Sequence, residues 1–270
     1  MKKTISIGNQ SFSSLREKNC FYIDKTHFIK EFWKKRDAVT LITRPRRFGK
    51  TLNMSMLECF FSNKYANRAD LFEGLSIWQE EKYRKLQGTY PVIFLSFAAV
   101  KAANLEDAKT QIKQEISRVY RENRRLIKEA VFSEDERQLY DNTTVNMDDV
   151  MAQDSLRNLS EWMAHYYGRK VIILLDEYDT PMQEAYIQGY WDEFTDFVRS
   201  LFNATFKTNP YLEAAVMTGI TRVSKESIFS DLNNLRVVTT TSNLYADCFG
   251  FTEEEVFSAL DEFGMGDRKK

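Results

Sequence analysis

Residues 38–61 read AVTLITRPRRFGKTLNMSMLECFF, in which an apolar run, a basic loop and a second apolar segment follow one another directly. AVTLIT is typical of a buried strand, and the spacing of apolar residues in LNMSMLECFF is typical of a helix. A Gly-Lys-Thr triplet between a strand and a helix is typical of loops that bind phosphate groups. This stretch therefore predicts an α/β fold with an anion site at the start of a helix.

The triplet Gly49, Lys50 and Thr51 has the residue types that a nucleoside triphosphate requires. We expect loop and helix amides to point at the β-phosphate, Lys50 to bind the β- and γ-phosphates, and the Thr51 hydroxyl to ligate magnesium. The alternative for Lys50, a solvated lysine, is disfavoured because the helix dipole repels a cation there unless an anion compensates. We therefore expect ATP and Mg²⁺ as cofactors, with phosphate-binding residues Arg44, Pro45, Arg46, Arg47, Phe48, Gly49, Lys50, Thr51 and Leu52.

The beginning of the loop departs from the usual pattern. A glycine is expected five residues before Gly49, and this chain has Arg44 there, followed by Pro45. Because Pro45 fixes its own φ and favours an extended Arg44, the first turn cannot be the glycine-dependent one. Arg46 and Arg47 either clamp phosphates or are ordinary exposed loop residues.

A second motif follows a run without polar alternation, VIILLDEYD at residues 171–179. VIILL predicts a central strand that is covered on both faces, ending at Asp176 and Glu177. In a Walker B arrangement, Asp176 holds magnesium through water and Glu177 polarises the attacking water. Acids also end strands simply because the chain reaches solvent there, and Asp179 is either an additional residue of the site or a surface acid.

A third stretch, LEAAVM at residues 212–217, runs into Thr218. A polar side chain at this strand end suits a sensor that hydrogen-bonds the γ-phosphate or the attacking water. Thr218 is our candidate, with an ordinary strand-end threonine as the alternative. Arg222 is expected to reach the γ-phosphate in cis or to serve a neighbouring subunit as an arginine finger, and the sequence leaves both open.

Apolar runs and longer amphipathic segments alternate along the chain, which is the pattern of a parallel sheet covered by helices. The predicted strands are 38–43, 91–97, 171–175, 212–217 and 236–240. The predicted helices are 52–62, 105–129, 147–167 and 190–206, and a capping box at Thr252 and Glu255, with Phe251 and Val256 as a hydrophobic staple, predicts another from Glu253 to about Phe263.

Composition and charge exclude some classes of protein. The 270 residues carry a net charge of −1, with 43% hydrophobic residues and only 4 prolines and 10 glycines, which predicts continuous folded structure. A near-zero net charge supplies no global field that would gather nucleic acid or an anionic membrane. The amino terminus has no apolar run, no stretch approaches a membrane span, and three scattered cysteines favour reduced thiols, so we expect a cytoplasmic protein.

With these residues in view, the chain resembles the AAA-ATPase-like family of bacterial P-loop proteins, which is related to the STAND class of P-loop ATPases. The resemblance is nearly full length. It rests on FYIDKTHFI (21–29), LITRPRRFGKTLNMSML (41–57), LFEGLSIW (71–78), YPVIFLSF (90–97), LLDEYDTP (174–181), TGITRVSKESIFSDLNNL (218–235) and FGFTEEEV (249–256).

The resemblance implies a three-layer P-loop NTPase sandwich with a mainly parallel, five-stranded sheet of additional-strand type, in the order 5-1-4-3-2. The missing loop glycine is normal for that family. The resemblance also implies that Tyr22, Asp24 and Lys25 lie near the base or sugar, whereas Asp24 alone suggests an N-cap for a helix through Trp33. Such proteins usually continue into a helical lid and often a restriction-endonuclease-like nuclease domain.

We therefore expect an N-terminal segment (1–37) packed on the core, a P-loop ATPase core (38–250) and the start of a truncated helical lid (251–270). The favoured function is a magnesium-dependent ATPase, slow in this fragment, that forms the regulatory or motor half of a longer protein. The alternatives are a nucleotide-binding interaction module without hydrolysis and a nucleic-acid-binding domain, although nucleic acid is expected only through a missing C-terminal domain. The oligomeric state and the choice of ATP over GTP stay open.

Overall fold

In the computed structural model, five short strands of the described part of the chain form one sheet. They are β1 (Val39–Thr43), β2 (Val92–Ser96), β3 (Val171–Asp176), β4 (Leu212–Gly219) and β5 (Leu235–Val238). Their order is β2-β3-β4-β1-β5, and β1–β4, β2–β3 and β3–β4 pair in parallel. This is the predicted order 5-1-4-3-2 read from the other edge, so the expected α/β P-loop sandwich topology is confirmed.

The structure describes residues 3–126, 132–221, 228–229 and 231–268. The chain divides into two compact units. The helical unit comprises Met1–Lys35, Arg44–Thr89 and Val238–Lys270, and the sheet unit comprises Arg36–Thr43 and Tyr90–Val237.

The interior of the sheet unit follows from the strand sequences. All residues of β1 and β3 are buried, because both strands have a neighbour on each side and apolar side chains on both faces. The helices of this unit are α5 (Leu105–Glu122), α6 (Glu134–Asn142), α7 (Asp149–Tyr167), α8 (Thr180–Gln188) and α9 (Trp191–Phe202), with a π-helical continuation at Asn203–Lys207.

The helical unit contains α1 (Phe12–Glu17), α2 (His27–Lys35), α3 (Lys50–Phe61), α4 (Glu81–Arg84) and α10 (Glu253–Glu262). Short 3₁₀ turns at Asn63–Tyr65, Ala69–Phe72, Ser76–Gln79 and Gly266–Arg268 connect or follow them. Its core is largely aromatic: Phe72 stacks on Phe12 and contacts Phe60 edge to face. These contacts fix α1 against α3, the helix that follows the predicted phosphate loop.

Most predicted elements are present with shifted ends. The predicted helix 105–129 ends as an α-helix at Glu122, and the predicted helix 147–167 begins at Asp149 because the Asp148 side chain accepts the Met151 amide hydrogen. The helix predicted at 190–206 is α-helical only to Phe202. The capping box at Thr252 and Glu255 is confirmed at the start of α10.

Candidate functional site

The loop between β1 and α3, which is the predicted phosphate loop, contains two residues with a left-handed backbone. Gly49 is the N-cap of α3 and has a left-handed conformation, with φ of 77°, and no side chain caps the helix there. Arg47 is also left-handed, with φ of 68°. The first-turn amides of a helix have no intrahelical acceptor, so this helix start can accept an anion.

Lys50 is held beside the backbone of the same loop. Its side chain is buried, with the whole residue 6% exposed, and Nζ donates hydrogen bonds of 3.0 Å to the carbonyl oxygens of both Arg44 and Pro45. Residues 45–49 are exposed around it. The loop therefore concentrates positive charge from Lys50, Arg46 and Arg47 next to solvent, which favours the binding of an anion.

Arg44, in contrast, is built into the fold. The residue is buried, Nη2 donates to the Tyr245 carbonyl oxygen at 3.1 Å, and Nη1 donates to the Val238 carbonyl oxygen at 3.4 Å. Its guanidinium also lies over the ring of Phe249 at 5.3 Å. The side chain of Arg44 therefore stabilises the fold, and any contact of this residue with a phosphate would be made by its backbone.

An apolar cavity of about 400 Å³ opens beside this loop within the helical unit. Arg47, Phe48, Gly49, Leu52 and Asn53 supply the wall on the loop side. Its other walls come from the FYIDK segment, the amino terminus and α10, and include Ile5, Leu15, Phe21, Tyr22, Ile23, Lys25, Phe251, Val256, Ala259, Leu260, Phe263 and Met265. Its volume is within the range of small-molecule sites.

Hydrogen bonds between the FYIDK segment, the phosphate loop, α3 and the segment before α10 connect the walls of this cavity. Lys25 is buried, and its Nζ lies 2.6 and 2.7 Å from the two carboxylate oxygens of Glu255 and 2.6 Å from the Asp247 carbonyl oxygen. Asn53 of α3 donates to the Cys248 carbonyl oxygen at 2.8 Å, and the Gly250 amide donates to the Phe48 carbonyl oxygen at 3.0 Å. The FYIDK segment, the phosphate loop and the approach to α10 are thus joined directly.

Tyr22 and Lys25 line the cavity, whereas Asp24 does not. The Asp24 carboxylate accepts the Thr26 amide and hydroxyl through one oxygen and the Ser76 amide through the other. Although burial opposes the charged form, these hydrogen bonds outweigh it and hold the pKa of Asp24 below its usual range. Asp24 therefore stabilises the turn before α2, which begins at His27.

In the sheet unit, Asp176 and Thr218 are brought together. Asp176 is the last residue of β3 and is 1% exposed, while Thr218 lies near the end of the neighbouring strand β4 and is fully buried. The Thr218 hydroxyl donates to Asp176 Oδ1. Thr218 thus orients the carboxylate that the sequence assigned to magnesium.

Glu177 begins the turn after β3. It has a left-handed backbone, with φ of 52°, is half-buried, and accepts the Thr180 hydroxyl at Oε2 over 3.2 Å. A non-glycine residue with positive φ is uncommon and marks a constrained position.

Asp179 is not the surface acid that one interpretation expected. It is 1% exposed, and its Oδ2 accepts the amides of Ile220 and Thr221, the Thr221 hydroxyl and the Gln183 side-chain amide at 2.8 to 3.0 Å. A Cβ on Gly219 would lie 2.7 Å from Asp179 Oδ1 and 2.6 Å from Tyr178 Cε1, so only glycine fits there. Asp179 is a structural clamp between the turn and the end of β4.

The donor types fit the expected cofactor. Magnesium prefers hard oxygen ligands, and Asp176 offers a carboxylate at a strand end while Thr51 offers a hydroxyl on a half-buried side chain at the start of α3.

Arg222 lies outside the described residues. Among the described residues, no helix is long and apolar enough to cross a membrane.

The cavity as a whole could not be predicted from the sequence, because most of its lining consists of ordinary apolar residues that lie far apart in the chain. Two of the family motifs could have indicated the cavity. FYIDKTHFI contains Lys25 and FGFTEEEV contains Glu255, and these two residues form an ion pair.

Comparison with known proteins agrees with this geometry. A family model described as "Predicted AAA-ATPase" matches residues 6–229. The chain is also similar to a protein of Azotobacter chroococcum mcd 1 described as "Uncharacterized protein in vnfD 5'region", with 28% identity over 267 residues. That alignment covers 94% of this chain and 44% of the relative, so the chain spans less than half of the relative's length. Because the family model covers most of the chain, including the phosphate loop and the DEYD turn, the chain belongs to the predicted AAA-ATPase family.

Proposed function

We propose that the chain binds ATP with magnesium and hydrolyses it, as the regulatory or motor part of a longer protein. The observation that carries the proposal is the start of α3, where an uncapped first turn follows a left-handed Gly49 and Lys50 is held against the loop carbonyls. Amide hydrogens and a fixed ammonium group are the donors that bind phosphate oxygens most strongly. Family membership supports the same assignment.

The apolar cavity beside the loop is the proposed site of the nucleoside. Phe48 and Gly49 belong to both the loop and the cavity lining, so a ligand anchored by its phosphates would extend a flat base into the cavity. Tyr22 and Phe251 offer apolar and aromatic surface, and Lys25 and Asn53 offer polar atoms. A mainly apolar wall with few polar groups suits a purine.

The residues at the ends of β3 and β4 are proposed to perform the chemistry. Bound magnesium neutralises charge on the phosphates. Asp176 holds the magnesium through water, Thr51 ligates it through its hydroxyl, Thr218 orients Asp176, and Glu177 polarises the attacking water. These roles rest on the order of motifs along the chain and on family membership. Arg222 remains a sequence prediction.

A nucleotide-binding module without hydrolysis is the alternative that Glu177 disfavours, since a half-buried carboxylate directly follows the candidate magnesium ligand. A nucleic-acid interface through Arg44, Arg46 and Arg47 is weakened because the buried Arg44 guanidinium is already used by two carbonyl groups. A cytoplasmic location also remains a prediction from the sequence.

One experiment separates these functions. Calorimetric binding of ATP with magnesium and release of inorganic phosphate are measured on the same purified sample. Binding with turnover supports the proposal, and binding without turnover supports the interaction module. Absence of both would contradict the proposal.

A further inference from the structure

Four side chains of metal-binding type converge in the helical unit, and none of them belongs to the phosphate loop at residues 44–51. His27 and Glu31 come from α2, and Asp247 and Cys248 are consecutive residues in the segment before α10. One ligand atom from each of the four lies within 4.8 Å of all the others. None of these residues has a role in the function proposed above.

The local structure explains how the four side chains meet. His27 and Glu31 are four residues apart on α2, so they project from the same face of the helix. The Asp247–Cys248 segment is fixed against this region through backbone carbonyls: Lys25 Nζ donates to Asp247, and the Asn53 side chain donates to Cys248. Two independently anchored pieces of chain therefore each supply two ligands.

The hydrogen bonding of the cluster is incomplete. His27 Nε2 is a buried atom that makes no hydrogen bond, although it lies 3.5 Å from Asp247 Oδ1. Cys248 is fully buried, and its sulfur makes one long contact of 3.8 Å to Asp247 Oδ1. A buried polar atom without a partner is costly, and a cation between these groups would satisfy the nitrogen, the sulfur and the carboxylates together.

The charges in the cluster also favour a cation. Glu31 and Asp247 are acidic, and the Lys25 ammonium, which bonds the Asp247 carbonyl oxygen, is already paired with both oxygens of Glu255. Asp247 is 61% exposed at its side chain, which gives an ion access from solvent.

We propose that His27, Glu31, Asp247 and Cys248 form a binding site for a divalent cation of the zinc class. Imidazole nitrogen, thiolate sulfur and carboxylate oxygen together are ligands that Zn²⁺ and Co²⁺ accept in tetrahedral geometry, whereas Mg²⁺ and Ca²⁺ prefer oxygen alone. The bound ion would link α2 to the segment before α10. Because Cys248 and Lys25 also line the apolar cavity, the ion would stiffen one of its walls.

The test uses the full chain, freed of metal with a chelator and titrated with Co²⁺ while its absorption spectrum is recorded. Wild type should show a thiolate-to-cobalt charge-transfer band and the visible bands of a tetrahedral site. Cys248→Ser should lose the charge-transfer band, and His27→Ala and Glu31→Gln should bind Co²⁺ more than about tenfold more weakly.

Cys59→Ala is the matched control, because Cys59 is equally buried in the helical unit but outside the cluster. It should keep the wild-type spectrum, and Zn²⁺ should raise the thermal unfolding midpoint of wild type and Cys59→Ala but not of His27→Ala. No charge-transfer band in wild type, or unchanged affinity in both His27→Ala and Cys248→Ser, would overturn the proposal. Neither readout requires ATP, so the result is independent of the proposed ATPase function.

Discussion

The phosphate loop at residues 44–51 and the acidic turn at residues 176–180 use their charged side chains differently. In the loop, five consecutive residues, 45–49, are exposed, and the two buried cations, Arg44 and Lys50, bond to backbone carbonyls. In the turn, Asp176 and Asp179 are both 1% exposed and accept hydrogen bonds from the end of β4.

Each of these two motifs therefore contains residues that stabilise the fold as well as candidate ligand-binding residues. Arg44 and Asp179 have the charge expected of a functional residue, yet each satisfies backbone groups of its own unit. Substitutions at these two positions should reduce stability, whereas substitutions at Glu177 or at exposed loop positions should mainly alter ligand-dependent properties.

Glu177→Gln should have the largest effect, and it should fall on catalysis alone. The amide cannot act as a base for the attacking water, so ATP turnover should drop by about 10²- to 10⁴-fold. The Gln carbonyl can still accept the Thr180 hydroxyl, so the fold and ATP affinity should be retained. Phosphate release and calorimetry on the same sample measure both quantities, and surviving turnover would show that another group is the base.

Asp179→Ala should break the turn. Its loss leaves the Ile220 and Thr221 amides without their acceptor in a partly buried setting, which should lower the free energy of unfolding by about 3 kcal/mol. Urea unfolding measures this change. Asp179→Asn keeps an oxygen that can accept these amides and should cost less. An unchanged midpoint for Asp179→Ala would show that the clamp is not needed.

Arg44→Ala and Arg46→Ala compare a buried and an exposed arginine two residues apart. Loss of the Arg44 bonds to two carbonyl oxygens should lower the free energy of unfolding by about 2 kcal/mol. Arg46→Ala should leave stability within about 0.5 kcal/mol of wild type. Equal effects of the two substitutions in urea unfolding would contradict the structural role assigned to Arg44.

Asp24 is the counterpart of Asp179 in the helical unit, and Asp24→Asn should lower the free energy of unfolding by about 1 kcal/mol at pH 7. Because the folded-state pKa of Asp24 lies below its ordinary value of 3.8, its stabilisation is fully present above that value and is lost as pH falls through the folded pKa. The stability gap between wild type and Asp24→Asn should therefore narrow below about pH 4 in urea unfolding. A gap that stays constant with pH would contradict the assignment.

The strands of the sheet could be predicted from the sequence because each is a short apolar run that can be recognised without its neighbours. VIILL predicted a central strand, and β3 is buried along its whole length with a neighbour on each side. Short helices such as α1 and α8 were missed, since one or two turns carry too few residues for a helical period to be recognised.

The sequence also placed Gly49, Lys50 and Asp176 at the element ends where the structure has them. The structural role of Asp179 and the burial of Arg44 could not be predicted from the sequence. Both depend on hydrogen-bond partners more than 40 residues away in the chain. The same reason hid the cluster of His27, Glu31, Asp247 and Cys248, whose two halves are separated by over 200 residues.

The proposed function depends most directly on binding of the ATP phosphates by Lys50 at the start of α3. The direct measurement is isothermal titration calorimetry of ATP with magnesium against wild type, Lys50→Ala and Lys64→Ala, an exposed lysine of the same unit. Lys50→Ala should lose measurable binding while its circular dichroism spectrum stays that of wild type, and Lys64→Ala should bind as wild type does. Unchanged ATP affinity in a folded Lys50→Ala protein would contradict the account.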